Sequence, residues 1–187
     1  ANFHPRVNIH APGPGVGGHC IAVDPWFIVE LQPELSKIIK LSRTTNNSMP
    51  EYVAEQAQKL MMEYTTGGKK AAVFGLSFKG NVDDMRESPA VTLIEELQKR
   101  KIEVASYDPH IKPGGHPTQK DSVEEALEDA EILLIVTDHN EFKNLDPNVV
   151  AQQMKSKIVY DTKNILDRSI WKAAGFNHHL LGDSKEK

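Results

Sequence analysis

Between residues 71 and 181 the chain alternates short, largely apolar runs with amphipathic stretches, and this alternation narrows the choice of fold more than any other feature. The apolar runs cover 71–76, 102–107, 132–136 and 158–160, with Leu180-Leu181 as a last edge. A strand with one buried face alternates apolar and polar residues, whereas a run such as 132–136, apolar throughout, is buried on both faces. Helical patterns lie between the runs. One covers 89–99, with Ser88 as its cap and Pro89 in its first turn; another covers 122–127, where Glu125 follows Ser122 by three residues. Strands alternating with helices specify parallel pairing under helices on both faces. Residues 67–187 are therefore expected to form a doubly wound parallel α/β sheet, with 184–187 as a frayed tail.

The first 66 residues follow other rules. Residues 1–25 are rich in Gly, Pro and His, a composition suited to turns and close backbone approaches. From 26 to about 64 the pattern is helical, with Asp24 as cap, Pro25 in the first turn, and Pro33 and Pro50 each expected to open a new helical piece. After Pro50, Val53, Ala57, Leu60, Met61 and Tyr64 recur at spacings of three and four and form one apolar stripe. Little else in the chain is expected to cover that stripe, so 26–66 reads as a central helical region that pairs with a second copy. The expected organisation is thus 1–25, 26–66 and 67–187.

Composition removes several classes. A net charge of −4 argues against a nucleic-acid partner, which calls for a basic face. No apolar run reaches the roughly 18–20 residues that span a bilayer, and no signal peptide is visible, so a cytoplasmic protein without a membrane partner is expected. The single cysteine excludes an intramolecular disulfide. His110 with His116 and His178-His179 lack the paired spacing of a zinc site, and His139 reads as a turn into a short helix, so no metal is expected.

Gly13, Gly15 and Gly18 satisfy G-x-G-x-x-G, but no strand precedes them and no helix opens at the third glycine, so they do not read as a dinucleotide fingerprint. More informative is Cys20, directly after Gly17-Gly18-His19 and four residues before Asp24 at a helix start. Read alone, Cys20 is either a small buried apolar residue or a thiol activated beside a helix N-terminus, with the glycines admitting a substrate to the backbone.

The segment 12–28, GPGVGGHCIAVDPWFI within it, resembles the active-site segment of the UDP-glucose/GDP-mannose dehydrogenase family, the nucleotide-sugar 6-dehydrogenases. His19 before the cysteine and Ala22-Val23-Asp24-Pro25-Trp26 after it are similar to the branch acting on UDP-N-acetylmannosamine; UDP-glucose enzymes more often carry Pro-Lys before the Asp. The run from Phe78 and Lys79 through Arg86 to Ser88-Pro89 resembles the family block that opens its UDP-binding domain. Unaided by the resemblance, this run reads equally as a solvated turn, since Asp83, Asp84 and Glu87 offset its cations. Asp161-Thr162-Lys163-Asn164 resembles a further block, and His4-Pro5-Arg6 a fourth.

The resemblance implies a central helical dimerisation region followed by a Rossmann-like UDP-sugar domain. It implies a four-electron, NAD-dependent oxidation of the sugar C6 alcohol through a thioester on Cys20, assisted by Asp24. It also implies substrate contacts from Arg6 of a neighbouring subunit, Gly17, Gly18, Phe78, Lys79 and Lys163, and a cofactor contact from Arg86. No strand–glycine turn–helix unit for NAD occurs in this sequence, so the chain is expected to be a C-terminal fragment that binds a UDP-sugar and forms a homodimer. The competing reading is a stand-alone UDP-sugar-binding and dimerising module without redox activity. With no NAD domain, the 187-residue chain is expected to generate no NADH from any UDP-sugar, which absorbance at the NADH band would check.

Overall fold

A computed structural model describes residues 3–6, 9–67 and 69–183; the expected tail at 184–187 lies outside them. Two helices come first, α1 (Asp24–Leu31) and α2 (Lys37–Tyr64). The alternating part follows: β1 (Lys70–Phe74), α3 (Pro89–Lys99), β2 (Glu103–Tyr107), α4 (Val123–Leu127) and β3 (Ile132–Ile135), then α5 (Asn140–Lys143), α6 (Pro147–Gln153), β4 (Ile158–Asp161), α7 (Arg168–Ala173) and β5 (Asn177–Leu180). The five strands form one parallel sheet in the order β2-β1-β3-β4-β5. Ala72 is flanked by Ala105 on one side and Leu133 on the other.

Strand period two divides the sheet side chains into two cores. On one face Ala71, Val73, Ile132, Leu134, Ile158 and Tyr160 pack against Leu93, Ile94 and Leu97 of α3 and Val53, Ala54, Ala57 and Met61 of α2. On the other, Ala72, Phe74, Leu133, Ile135 and Val159 lie under Leu127, Phe142, Val150 and Trp171 of α4 to α7. Each fully buried Leu or Ile contributes roughly 1.5–3 kcal/mol, so both layers are needed to hold so apolar a sheet. The doubly wound α/β class is as the apolar runs require.

Two readings are corrected, and two helices absent from the sequence reading appear. The apolar stripe after Pro50 is not left uncovered: it fills the groove against α3 and belongs to the sheet's own core. Pro50 opens no new helix but sits buried inside α2, where the helix sacrifices one backbone hydrogen bond. The helices α6 and α7 carry too few turns for a periodic signal; each is announced only by its cap, Asp146 accepting from Asn148 N–H and Asp167 accepting from Ser169 and Ile170 N–H. The apolar surface that does stay open lies earlier. Phe27, Ile28 and Leu31 of α1, Leu35, and Ile38 and Leu41 of α2 are between 51% and 84% exposed. No helix among the described residues is long and apolar enough to cross a membrane.

On β5, His178 pairs with Val159 and is buried, and neither ring nitrogen has a hydrogen-bond partner among the described residues. Burial pushes its pKa below the ordinary 6.5; the Asp161 charge pulls the other way but does not win. A folded-state pKa below the unfolded one makes the neutral ring a source of stability above pH 6.5, lost as pH falls and the unfolded chain takes up the proton first. Thermal melts should therefore drop between pH 7.5 and 5.5, and His178→Phe should shrink that drop; an unchanged pH dependence would contradict this assignment.

Candidate functional site

The winding of the sheet reverses at β1: the chain crosses over α3 to β2 on one side, then returns over α4 to β3 on the other. Such a reversal leaves a crevice at the carboxyl ends of the two central strands, where parallel α/β sheets take their ligands. Here Ser77 and Phe78 follow β1, Val136, Thr137 and Asp138 follow β3, and Lys163 follows β4; together with Ser88, Pro89 and Ala90 of the α3 start they line a narrow cleft. The α3 start is ordered by Ser88, whose Oγ accepts from Ala90 N–H at 3.2 Å and whose carbonyl accepts from Val91 N–H at 3.2 Å, and the positive end of the helix dipole adjoins this cleft.

Two buried aspartates shape these loops. Asp108, just past β2, accepts through Oδ2 from Leu76 N–H (2.7 Å) and Ser77 N–H (3.0 Å), and through Oδ1 from His110 N–H (2.8 Å) and Ile111 N–H (3.2 Å). His139 Nε2 adds a fifth partner at 3.0 Å. Burial alone would raise the pKa of Asp108, but these donors outweigh it and bring it to about 2. Asp161, at the end of β4, does the same for the next loop: Oδ1 accepts from Lys163 N–H (2.9 Å), and Oδ2 from Ile165 (2.8 Å) and Leu166 (2.9 Å). The backbone of Lys163 is thereby fixed, and its Nζ lies 3.8 Å from Asp138 Oδ1.

The glycine-rich segment docks onto this rim. Asn46 of α2 pairs with the peptide groups of Val16, accepting from its N–H (2.8 Å) and donating to its carbonyl (3.0 Å), while Arg43 donates to the same carbonyl. A Cβ on Gly17 would stand 2.1 Å from the Glu87 carbonyl, and one on Gly18, whose φ is +91°, 3.0 Å from the Phe78 ring. Gly13 packs on Lys163, where a Cβ would meet Nζ at 3.1 Å. The close approaches that need glycine are thus made to this chain's own loops.

Cys20 is exposed in the turn ahead of α1, and its carbonyl accepts from Val23 (3.0 Å) and Asp24 (2.8 Å), so the thiol residue and Asp24 share one turn. Beside them Arg86 grips Asp84 with Nε at 3.0 Å and a terminal nitrogen at 2.6 Å, and His19 Nδ1 lies 4.0 Å from Asp84. The Arg86 hydrogen bonds hold the Asp84 carboxyl at about 2. Asp84 raises the Arg86 pKa in turn, with a smaller contribution of the same sign from Cys20.

Of the residues named from sequence, Gly17, Gly18, Phe78, Lys163, Cys20, Asp24 and Arg86 fall along this one rim. Lys79 is exposed on the loop after β1. Arg6 is exposed in a turn and has no side-chain contact with the others among the described residues. Asp108, His139 and Asn46 went unrecognised; only the strand-end Tyr107-Asp108-Pro109 gave any sign, because Pro after Asp marks a turn. His110, His139 and Glu141 cluster closely enough to suggest a metal, yet both His139 nitrogens are already engaged, by Asp108 and by Asn81 N–H. A second, open cleft of about 510 Å³ lies between residues 10–16 and α2, bordered by Tyr52 and Leu181 and adjoining Gly13.

Two family models match: the UDP-glucose/GDP-mannose dehydrogenase family UDP-binding domain over residues 72–168, and the central domain of the same family over 1–48. A UDP-N-acetyl-D-mannosamine dehydrogenase of Methanocaldococcus jannaschii is 46% identical over 99% of this chain, which spans 43% of that protein. The structure of UDP-D-ManNAc dehydrogenase from Pyrococcus horikoshii superposes with a TM-score of 0.83 at 36% identity, over 97% of this chain and 42% of the other. That of the UDP-N-acetyl-mannosamine dehydrogenase from Staphylococcus aureus superposes with a TM-score of 0.80 at 45% identity, over 97% and 42%. The chain therefore spans less than half the length of these relatives, and it belongs to the UDP-glucose/GDP-mannose dehydrogenase family.

Proposed function

We propose that this chain supplies the thiol nucleophile and the nucleotide-binding half of an NAD-dependent UDP-N-acetyl-D-mannosamine 6-dehydrogenase. The observation that carries the reading is the convergence, at one crevice, of a phosphate-type site and a docked cysteine. Lys79, Lys163 and the N-terminal end of the α3 dipole offer positive potential at the strand ends. The Gly17–Glu87 and Gly18–Phe78 contacts tie Cys20 to the same rim. The open cleft beside Gly13 is large enough for a nucleoside, which would run the diphosphate past Lys163 toward Lys79.

The described residues do not form a dinucleotide cradle, because the space beside Gly17 and Gly18 is filled by Glu87 and Phe78. NAD, which accepts the two hydrides of a four-electron oxidation, would be held by the part of the relatives' length that this chain does not span, with Arg86 at its edge. The chain's own residues do the rest. The Cys20 thiolate adds to the C6 aldehyde as a thiohemiacetal, which becomes a thioester on loss of a hydride, and water then releases the carboxylate and the thiol. Asp24, one turn on, serves the proton transfers of addition and hydrolysis. Arg6, exposed and without a side-chain contact among the described residues, is suited to reach a substrate on a second subunit. The open apolar face of α1 and the first half of α2, and not the 50–64 stripe, is the surface through which a homodimer would form.

Calorimetry on the 187-residue chain tests the nucleotide site. UDP should bind more tightly than uridine, salt should weaken UDP more than uridine, and Lys79→Ala should cost UDP about tenfold, the low end of a charge-assisted hydrogen bond. Equal affinity for UDP and uridine, or full UDP affinity in Lys79→Ala, would remove the phosphate site from this rim.

A further inference from the structure

We infer that His139 is a positioning residue for this site: its neutral ring holds the backbone of the 78–81 loop in the shape that presents Lys79 to a diphosphate. The inference rests on the reading above that Lys79 meets phosphate. His139 is fully buried just past β3 and touches the loop from below. Its Nδ1 lies 2.9 Å from Asn81 N, and its Nε2 lies 3.0 Å from Asp108 Oδ2 and 3.1 Å from Ser77 Oγ. A backbone amide only donates, so Nδ1 carries the lone pair; the proton is then on Nε2, facing a carboxylate that only accepts. The two nitrogens therefore serve partners of opposite polarity, which no apolar ring could do.

Those partners bracket Lys79. On one side Ser77 Oγ donates to the Lys79 carbonyl at 2.9 Å, which leaves its lone pair toward His139 Nε2–H. On the other, Asn81 takes φ = +60°, uncommon for a residue with a Cβ, and is held there from both ends: its N–H by His139 and its Oδ1 by Asn140 N–H at 3.0 Å. Between them Gly80 presses on the Asp138 carbonyl, where a Cβ would stand 2.7 Å away. The His139 ring is kept from turning by His110 stacked at 4.7 Å and the edge of Phe142 at 5.2 Å. The Lys79 backbone is thus fixed two residues before and two residues after, while its ammonium stays in solvent.

The two ends of the ring can be removed separately. In His139→Gln the side-chain amide can still donate toward Asp108 but puts no acceptor where Nδ1 stood; in His139→Asn the carbonyl oxygen sits near the Nδ1 position and the Asp108 contact is lost. UDP and uridine affinities of the 187-residue chain are measured by calorimetry, alongside melting temperature. His139→Gln should reduce the preference for UDP over uridine about fivefold or more with uridine itself unchanged, and His139→Asn should keep most of that preference although it melts no higher than the Gln variant. A preference that is unchanged in His139→Gln, or that falls equally in both variants in step with their melting temperatures, overturns the inference and leaves the phosphate site standing. A wild-type chain with no preference for UDP overturns the phosphate site, and this inference with it. Should His139→Gln fail to fold by circular dichroism, nitrogen-15 NMR of the wild-type chain decides: the His139 ring should carry its proton on Nε2 and accept at Nδ1 from Asn81 N–H, whereas a proton on Nδ1 overturns the inference.

Discussion

The carboxylate of Asp108 is the interaction on which the functional end of the molecule depends. Burying a charge is expensive unless it is hydrogen-bonded, and this one receives four backbone N–H groups from two loops and the imidazole of His139. The loops gain as much as the carboxylate does. Leu76, Ser77, His110 and Ile111 lie where the strands end, so their amides have no ladder partner and would otherwise be orphaned at the rim of an apolar core. Asp161 repeats the arrangement three strands along the sheet, with three amides including that of Lys163. Strand-end aspartates are thus the device by which a parallel sheet, whose ladders stop abruptly, turns irregular backbone into a defined surface.

On that surface the glycine-rich segment has one place to sit. Gly17 and Gly18 lack the Cβ that would collide with Glu87 and Phe78, and Asn46 satisfies the peptide groups of Val16 as a neighbouring strand would. The exposed Cys20 is therefore located by contacts to Val16, Gly17 and Gly18 just before it in sequence, made by α2 and by the loop between β1 and α3. Arg86 and Asp84 add a fixed ion pair beside it. Were Cys20 the nucleophile proposed above, the backbone anchors just ahead of it would supply the proximity that a mobile thiol loses.

The 28-residue helix α2 joins two environments. Its second half is a structural part of the sheet domain, with Val53, Ala54 and Ala57 wholly buried. Its first half, with α1 and Leu35 between them, leaves six large apolar side chains in water, a patch of the kind that soluble proteins rarely keep without a partner. Pro50 lies buried near the junction, and Asn46, the residue whose carbonyl loses its helical donor to that proline, is also the one that holds the glycine segment.

By itself the sequence determined the class of fold, because apolar runs too short and too uniform for exposed strands admit only a parallel sheet covered on both faces, and Ser88-Pro89 and Ser122 carry their caps in their chemistry. It also marked Cys20, Phe78, Lys79, Arg86 and Lys163 through local motifs. It could not show which side of α2 would be covered, since an apolar stripe fits equally a second chain or α3, and only the path of the chain chooses. Nor could it show that Gly17 and Gly18 yield to Glu87 and Phe78, which lie some sixty to seventy residues away in sequence. Asp108 and His139 were invisible for the same reason: 31 residues separate them, and a buried hydrogen bond between loops has no period, no spacing and no composition of its own. Local chemistry is written along the chain, whereas the partners that tune it are brought together only when the sheet closes.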